Sequence, residues 1–302
     1  MLDRRRFLHG LAATALLPLA SRADAVDPIL TRAIAASGER LPAIGMGSYI
    51  SFDVGSFRDA RERRAVVLQT FFERGGTLID SSPMYGSAED VIGWCLPRVR
   101  GRAALFSATK VWTPGRAMGI AQMEKSRELW GVERFDLMQV HNLLDWETHL
   151  DTLRGWKSEG RVRYVGVTTS HGRRHDELER IMRTQPIDFV QFTYNIADRE
   201  AERRLLPLAA ERGIAVIVNR PFRRAGLFHA VRGHALPDWA AEIDCRNWAQ
   251  FFLKFIVAHP AVTCAIPATS NPEHMLQNMD AMRGPQPDAA LRRRMADHFA
   301  AL

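Results

Sequence analysis

Asp80 and Tyr85 stand close together in the stretch LIDSSPMYGSAED. A tyrosine hydroxyl titrates at about 10 in water, so near neutrality it exchanges protons poorly unless its surroundings tune it. A lysine ammonium beside it favours the phenolate, and a carboxylate beside that lysine keeps the lysine charged. Lys110 closes the apolar run ALFSATK and His141 closes FDLMQVH. If those ends meet, Asp80 pairs with Lys110, Lys110 reaches Tyr85, and His141 hydrogen-bonds a carbonyl oxygen. Such a group polarises C=O and delivers a proton to its oxygen. It offers neither a nucleophile-and-base pair nor a metal set, so the missing hydride must come from a cofactor.

Bringing these residues together requires strands whose ends share one rim. Eight short runs qualify: LPAIGMGS, TLIDSS, ALFSATK, FDLMQVH, RYVGVTT, DFVQFTY, IAVIVNRP and VTCAIPA. Most are continuously apolar, as strands of a parallel sheet buried on both faces should be. Amphipathic stretches such as RDARERRAVVLQTFFERGG separate them and end on glycine. TSNPEHMLQNM starts a helix, with Ser270 or Asn271 as cap and Pro272 in the first turn. Eight strand–helix alternations predict an α/β fold of the (β/α)8 TIM-barrel type, and no GxGxxG follows a strand to suggest an open dinucleotide-binding sheet. AIAASGERL reads as an N-terminal β-hairpin turning at Ser37-Gly38 and plugging the barrel bottom. In such a barrel the polar residues ending strands gather at one mouth: Asp80, Lys110, His141, Thr168, Thr169, Gln191 and Asn219.

At this point the chain resembles the aldo-keto reductases over nearly all of its length after the first residues. GGTLIDSSPMYGSAEDVIG matches the family segment carrying the catalytic Asp and Tyr, and ATKVW and LMQVHN match those carrying Lys and His. The resemblance implies Tyr85 as general acid/base, tuned by Lys110 and Asp80, with His141 orienting the carbonyl. It implies a nicotinamide dinucleotide, NADP rather than NAD by a small margin. Gln191 in QFTYN then binds the carboxamide, and Gly47 and Ser48 line the same site. Thr168-Thr169 stand where the family usually has Ser-Asn. IVNRPF puts Asn219, Arg220, Pro221 and Phe222 where many members stack an aromatic ring on the nicotinamide. Thr269, His274 and Asn278 fall in the adenosine-phosphate segment, whose helix N-terminus suits an anion. NADP-favouring members often carry Lys and Arg where this chain has Ala268 and His274. Tyr49, Met84, Trp112 and Asn142 are implied around the substrate, an aldehyde, ketone or alcohol, with Trp146 nearby. RRRMADHFAAL is the last stretch, so no long C-terminal loop is expected to narrow the mouth.

The first 25 residues read as an address. Arg4, Arg5 and Arg6 precede an apolar run from Gly10 to Ala20, too short to span a bilayer, which takes roughly 20 residues. Ala23-Asp24-Ala25 offers small residues for cleavage. DRRRFLH resembles the twin-arginine export motif, which implies delivery of a folded protein to the periplasm by that machinery. Residues 26–302 would then form the barrel, with no stable membrane insertion and a monomer expected. The 302 residues, 46% hydrophobic and 25% charged, describe an ordinary globular chain. Net charge is +7, and removing the first 25 residues leaves +5. Arginines scattered rather than clustered with aromatics argue against nucleic-acid binding. Cys95, Cys245 and Cys264 lack CxxC spacing and form no disulfide framework; Cys264, in VTCAI, reads as a small buried hydrophobe.

Two other classes are compatible with parts of the pattern. An exported barrel that keeps the constellation could serve as a non-catalytic, dinucleotide-binding sensor or partner subunit. A metal-dependent hydrolase needs clustered ligands; the nearest approach, His171 and His175 in SHGRRH, is expected at a solvated helix start.

Overall fold

A computed structural model describes residues 28–302. The export signal expected over residues 1–25 lies outside the described residues.

The chain begins with an antiparallel hairpin, β1 (Thr31–Ala33) and β2 (Arg40–Pro42). Gly38 sits in its turn at φ +75°, a left-handed conformation that costs glycine least. Eight parallel strands follow: β3 (Met46–Gly47), β4 (Leu78–Asp80), β5 (Phe106–Val111), β6 (Phe135–Val140), β7 (Val162–Thr168), β8 (Phe189–Thr193), β9 (Ala215–Asn219) and β10 (Cys264–Ala265). Each pairs in parallel with the next. Parallel bridges from Ile44 to Ala265 and Gly47 to Ala268 return the last strand to the first. All eight sequence-predicted strands are present, and the barrel with its N-terminal hairpin is the fold expected. The first predicted strand is divided, because Leu41 and Pro42 belong to the hairpin and only Met46–Gly47 joins the barrel ladder.

That seam explains two glycines. A Cβ on Gly45 would lie 2.8 Å from the Leu78 carbonyl oxygen, and one on Gly47 would lie 2.8 Å from that of Ile266. Neither position has room for a side chain, so the barrel closes on bare backbone.

Helices cover the outside. In α1 (Arg58–Glu73), Val67, Leu68, Phe71 and Phe72 are buried, a helical spacing that gives one apolar stripe. The helix stops at Gly75, φ +89°. Further on come α2 (Ala88–Cys95), α3 (Arg116–Trp130), α4 (Trp146–Ser158), α5 (His175–Thr184), α6 (Leu205–Arg212), the short α7 (Gly226–Ala230), α8 (Trp248–Val257), α9 (Pro272–Asp280) and α10 (Ala289–Ala300). In α9 the Asn271 side chain accepts from Glu273 N at 2.9 Å and Pro272 opens the helix, so Asn271 is the cap.

The core has two parts. One lies between strands and helices. The other fills the lower barrel, where Ile34 and Leu41 of the hairpin pack with Leu78, Phe106, Leu137, Tyr164, Phe189 and Ile217. The hairpin is the bottom plug. Tyr164 ties it down by hydroxyl contacts to Ser37 Oγ and Glu39 Oε2, both 2.7 Å. Cys264 is buried in this inner core, and burial raises its thiol pKa. All three cysteines are free and buried. No helix among the described residues is long and apolar enough to cross a membrane.

Candidate active site

Parallel register places the functional side chains. Asp80 pairs with Ala108, Lys110 with Gln139, and Thr168 with Gln191. Inward-facing residues at the strand ends therefore form one polar layer across the mouth. Asp80 and Lys110 are both buried, with Lys110 Nζ donating to Asp80 Oδ2 at 2.5 Å and to the Ser81 carbonyl at 2.7 Å. The other carboxylate oxygen accepts from Gln139 Nε2 and Gln191 Nε2, each at 3.0 Å. Ser48 fixes the strand end by bonding the Asp80 carbonyl through its backbone N–H at 3.1 Å and its hydroxyl at 3.0 Å. The pair is thus hydrogen-bonded on both sides, as a buried ion pair must be.

Tyr85 lies above this pair. Its turn is set by Tyr85 N donating to the Ser82 carbonyl at 2.9 Å. The Lys110 ammonium lies 5.2 Å from the centre of the Tyr85 ring. The net effect on Tyr85 differs from the sequence expectation. Burial raises the phenol pKa more than the Lys110 charge lowers it, so the group is held as a neutral acid. Burial also works against the Lys110 charge, but Asp80, Tyr85 and Glu89 together raise its pKa. Glu89, on α2, is buried and accepts from Thr109 Oγ1 at 2.5 Å, Ser126 Oγ at 2.8 Å and Trp130 Nε1 at 3.2 Å. It anchors α2, and burial raises its own pKa.

His141 opens the turn after β6. Its ring stands edge-on to Tyr85, centroids 5.7 Å apart, and Nδ1 lies 2.8 Å from Ser82 Oγ. Burial, reinforced by the charge of Lys110, pushes its pKa down to about 2. The imidazole is neutral throughout the physiological range. Asp80, Tyr85, Lys110 and His141 thus converge at one mouth, as their spacing predicts.

Around them stand three exposed apolar residues, Tyr49, Met84 and Trp112. The Tyr49 ring meets Tyr85 edge-on at 5.0 Å, and Trp112 lies 6.4 Å from His141. Asn142, at φ +52°, is held by Thr168 Oγ1, which accepts its backbone N–H at 3.0 Å, and by Ser170 Oγ, which donates to its side-chain oxygen at 3.3 Å. Trp146 is buried on α4 and donates to Glu177 Oε1 at 3.1 Å, so it packs instead of facing the mouth.

The residues predicted to hold a dinucleotide divide into two groups. Gly47 N donates to the Pro267 carbonyl and serves barrel closure, while Ser48 secures Asp80. Thr168 gives its oxygen to Asn142. Asn219 donates to the Thr169 carbonyl at 2.8 Å and accepts from Thr193 Oγ1 at 2.7 Å, which braces adjacent strand ends. Phe222 packs on Phe228, centroids 4.9 Å apart, behind the buried Pro221. By contrast, Thr169 Oγ1 is buried beside Gln191 and has no hydrogen-bond partner among the described residues. Arg220 sits at φ +51° in the loop after β9, with Arg223 and Arg224 also left-handed. Arg224 Nη2 donates to Tyr49 OH at 3.1 Å, and Arg223 pairs with Asp198 at 3.2 Å. Burial lowers the His171 pKa, and the charges of Arg220, Arg173 and Arg224 lower it further against an opposing contribution from Asp198. Thr269 and the exposed His274 flank the start of α9, and Asn278 is buried along it.

Among the described residues no group of three or more His, Cys, Asp or Glu is arranged to hold a metal ion. His171 lies in a left-handed turn before α5, and His175 begins that helix, buried, 3.5 Å from Glu200. They do not share a helical face. Sequence reasoning missed Gln139, although it shares the inward parity of Leu137. It also missed Ser82, which carries no signal beyond its position in the Asp–Tyr loop.

A closed parallel barrel thus gathers a buried Asp–Lys pair, a tyrosine and a neutral histidine at one mouth, the place where barrel enzymes carry their active sites. Comparison with known proteins narrows that class. Residues 43–293 match the model of the aldo/keto reductase family. The chain belongs to that family, and with it to the NAD(P)-dependent oxidoreductases. It is similar to an aldo-keto reductase of Bacillus subtilis, 24% identical over 61% of this chain and 60% of that one. An uncharacterized oxidoreductase of Schizosaccharomyces pombe is 25% identical over 79% of this chain and 80% of its own length. In fold the chain is similar to the crystal structure of an aldo/keto reductase from Klebsiella pneumoniae in complex with NADP and acetate. The TM-score is 0.72 at 23% identity, covering 87% of this chain and 93% of that one.

Proposed function

We propose that this protein reduces the carbonyl of an aldehyde or ketone, or oxidises the corresponding alcohol, with Tyr85 as the acid/base. The observation that carries the reading is the buried, hydrogen-bonded Asp80–Lys110 pair beneath Tyr85, with a neutral His141 beside it. In the reductive direction the carbonyl oxygen takes a hydrogen bond from His141 and the proton of Tyr85 OH. Lys110 stabilises the phenolate left behind, and Asp80 balances the Lys110 charge. The hydride for the carbonyl carbon is the chemistry that a nicotinamide dinucleotide would supply when bound.

The residues present fit such a cofactor at one point in particular. Among the described residues the buried Thr169 Oγ1 has no hydrogen-bond partner, and Gln191 stands next to it at the strand ends; a carboxamide would give that oxygen one. Arg220 and the neighbouring loop would hold its diphosphate, and Thr269, His274 and Asn278 its adenosine end. NADP is favoured by the K. pneumoniae relative in fold, which holds it. Ala268, His274 and the acidic Glu273 in the first turn of α9 reduce fixed positive charge there, so discrimination against NAD should be modest. Tyr49, Met84, Trp112 and Asn142 form an open, largely apolar rim that suits varied carbonyl compounds.

We also propose that the protein is a monomer exported folded to the periplasm, with its dinucleotide loaded in the cytoplasm. The support is the DRRRFLH motif with its apolar run and cleavage site. A cofactor made in the cytoplasm has to travel inside the fold, and a slow off-rate would also stabilise the native state. The test is a panel of small aldehydes with NADPH and NADH, read as loss of nicotinamide absorbance. It is paired with denaturation of protein recovered from the periplasm. Turnover and near-stoichiometric release of dinucleotide are expected, and replacing Arg4 and Arg5 by lysine should retain the protein in the cytoplasm. Released dinucleotide without turnover would favour the sensor reading. Cofactor-free protein that binds dinucleotide weakly would contradict both.

A further inference from the structure

Ser82 is fully buried in the loop between β4 and α2, and the reaction above gives it no role. Two groups lie within hydrogen-bonding distance of its hydroxyl among the described residues: Met84 N–H at 3.2 Å and His141 Nδ1 at 2.8 Å. The amide is only a donor, so it takes one lone pair of the serine oxygen. A buried hydroxyl also has a proton to place, and leaving it unmatched is costly. Of the two neighbours, only the histidine nitrogen can accept it.

This decides the state of the imidazole. His141 is neutral, so one ring nitrogen carries a proton and the other a lone pair. If Nδ1 receives the Ser82 proton in a hydrogen bond, Nε2 must bear the N–H. We propose that Ser82 is a positioning residue that fixes His141 as the Nε2–H tautomer, so that the nitrogen left free for a ligand is a donor. The opposite tautomer would aim an N–H at Ser82 and present a lone pair to the substrate. A lone pair repels a carbonyl oxygen. The Met84 contact is part of the device, because it orients the serine oxygen and leaves the O–H pointing at the ring.

The consequence for turnover rests on the carbonyl-reduction reading; the tautomer itself does not. The test is therefore a two-part measurement on the full chain labelled with 15N-histidine. In the wild type the His141 resonances should show an unprotonated, hydrogen-bonded Nδ1 and a protonated Nε2, unchanged from about pH 5 to pH 8. Ser82→Ala should give a mixture of tautomers, and Ser82→Thr, which keeps a hydroxyl, should restore the wild-type pattern. In parallel, kcat should fall roughly 10-fold in Ser82→Ala and recover in Ser82→Thr, with cofactor affinity unmoved. A wild-type His141 protonated on Nδ1, or a Ser82→Ala spectrum identical to wild type, overturns the proposal. A changed tautomer with unchanged kcat upholds the role of Ser82 and instead removes His141 from the reaction.

Discussion

The two ends of the barrel interior are built from the same strands and differ in one respect. Following the inward-facing positions upward, Leu78 gives way to Asp80, Phe106 and Ala108 to Lys110, Leu137 to Gln139, Phe189 to Gln191, and Ile217 to Asn219. The lower residues pack with Ile34 and Leu41 of the hairpin. The upper ones bind one another through Asp80, Gln139, Gln191 and Asn219. Strand periodicity alone cannot distinguish the two sets, because both point inward. What distinguishes them is the requirement that a buried polar group be partnered. The lower end stabilises by burying area, and the upper end concentrates ionisable groups where a ligand can reach them.

If the two ends are separable, damage to each should show different symptoms. Lys110→Met, at the upper end, should have the largest effect of all, because it costs both stability and turnover. It leaves Asp80 buried without its counter-charge, which should cost about 3–5 kcal/mol, and it should abolish turnover. Urea unfolding and a kinetic assay on one preparation would check this. A variant that is fully stable but inactive would mean the charge is not confined as described.

Phe189→Ala should damage only the lower end. The expected loss is about 3–4 kcal/mol in unfolding free energy, from lost burial and a cavity under the polar layer. The kcat of the folded fraction should stay near wild type. A large fall in kcat would show that the layers are mechanically coupled.

Acid should weaken the upper end selectively. In the unfolded chain His141 titrates at about 6.5, while in the native state it is pushed down to about 2 by burial and by Lys110. Below about pH 6.5 the unfolded state binds a proton that the native state refuses, so stability falls as pH falls. The slope approaches about 1.4 kcal/mol per pH unit for this group. His259, held at about 4 by burial and by Arg292, adds a second contribution that stops growing below its own value. His141→Gln should remove the first contribution, seen as a flatter stability curve between about pH 6 and pH 4. An unchanged slope would mean that His141 is protonated in the native state.

Thr169→Val should have the smallest effect. The native hydroxyl is buried without a partner among the described residues, so replacing it should leave the cofactor-free protein as stable or slightly more so. Dinucleotide affinity should fall roughly 5- to 10-fold, about one hydrogen bond. Unchanged affinity, measured by fluorescence titration, would remove Thr169 from the cofactor site.

These contrasts show which parts of the molecule the sequence makes legible. The eight strands could be read because parallel strands buried on both faces are nearly all apolar. The four converging residues could be read because each lies at or just after the end of such a run. The division of LPAIGMGS between hairpin and barrel could not, since Leu41 and Met46 are equally apolar and only pairing separates them. Thr168 is a similar case. Its oxygen satisfies the backbone of Asn142, a residue at φ +52°, and nothing local announces that partner. The net effect of burial on Tyr85 also depends on packing. The opposing contribution of Lys110 is visible from residue types alone; its size relative to desolvation is not.

The central claim is that Tyr85 delivers the proton while the rest of the polar layer only sets its state. It is tested most directly by Tyr85→Phe, which removes one oxygen and leaves ring packing intact. The measurement is the single-turnover rate of aldehyde reduction with saturating NADPH, alongside the dinucleotide dissociation constant. The account predicts a rate lower by about 10²- to 10⁴-fold with the dissociation constant and stability near wild type. A Tyr85→Phe variant that reduces aldehydes at an undiminished rate would contradict it.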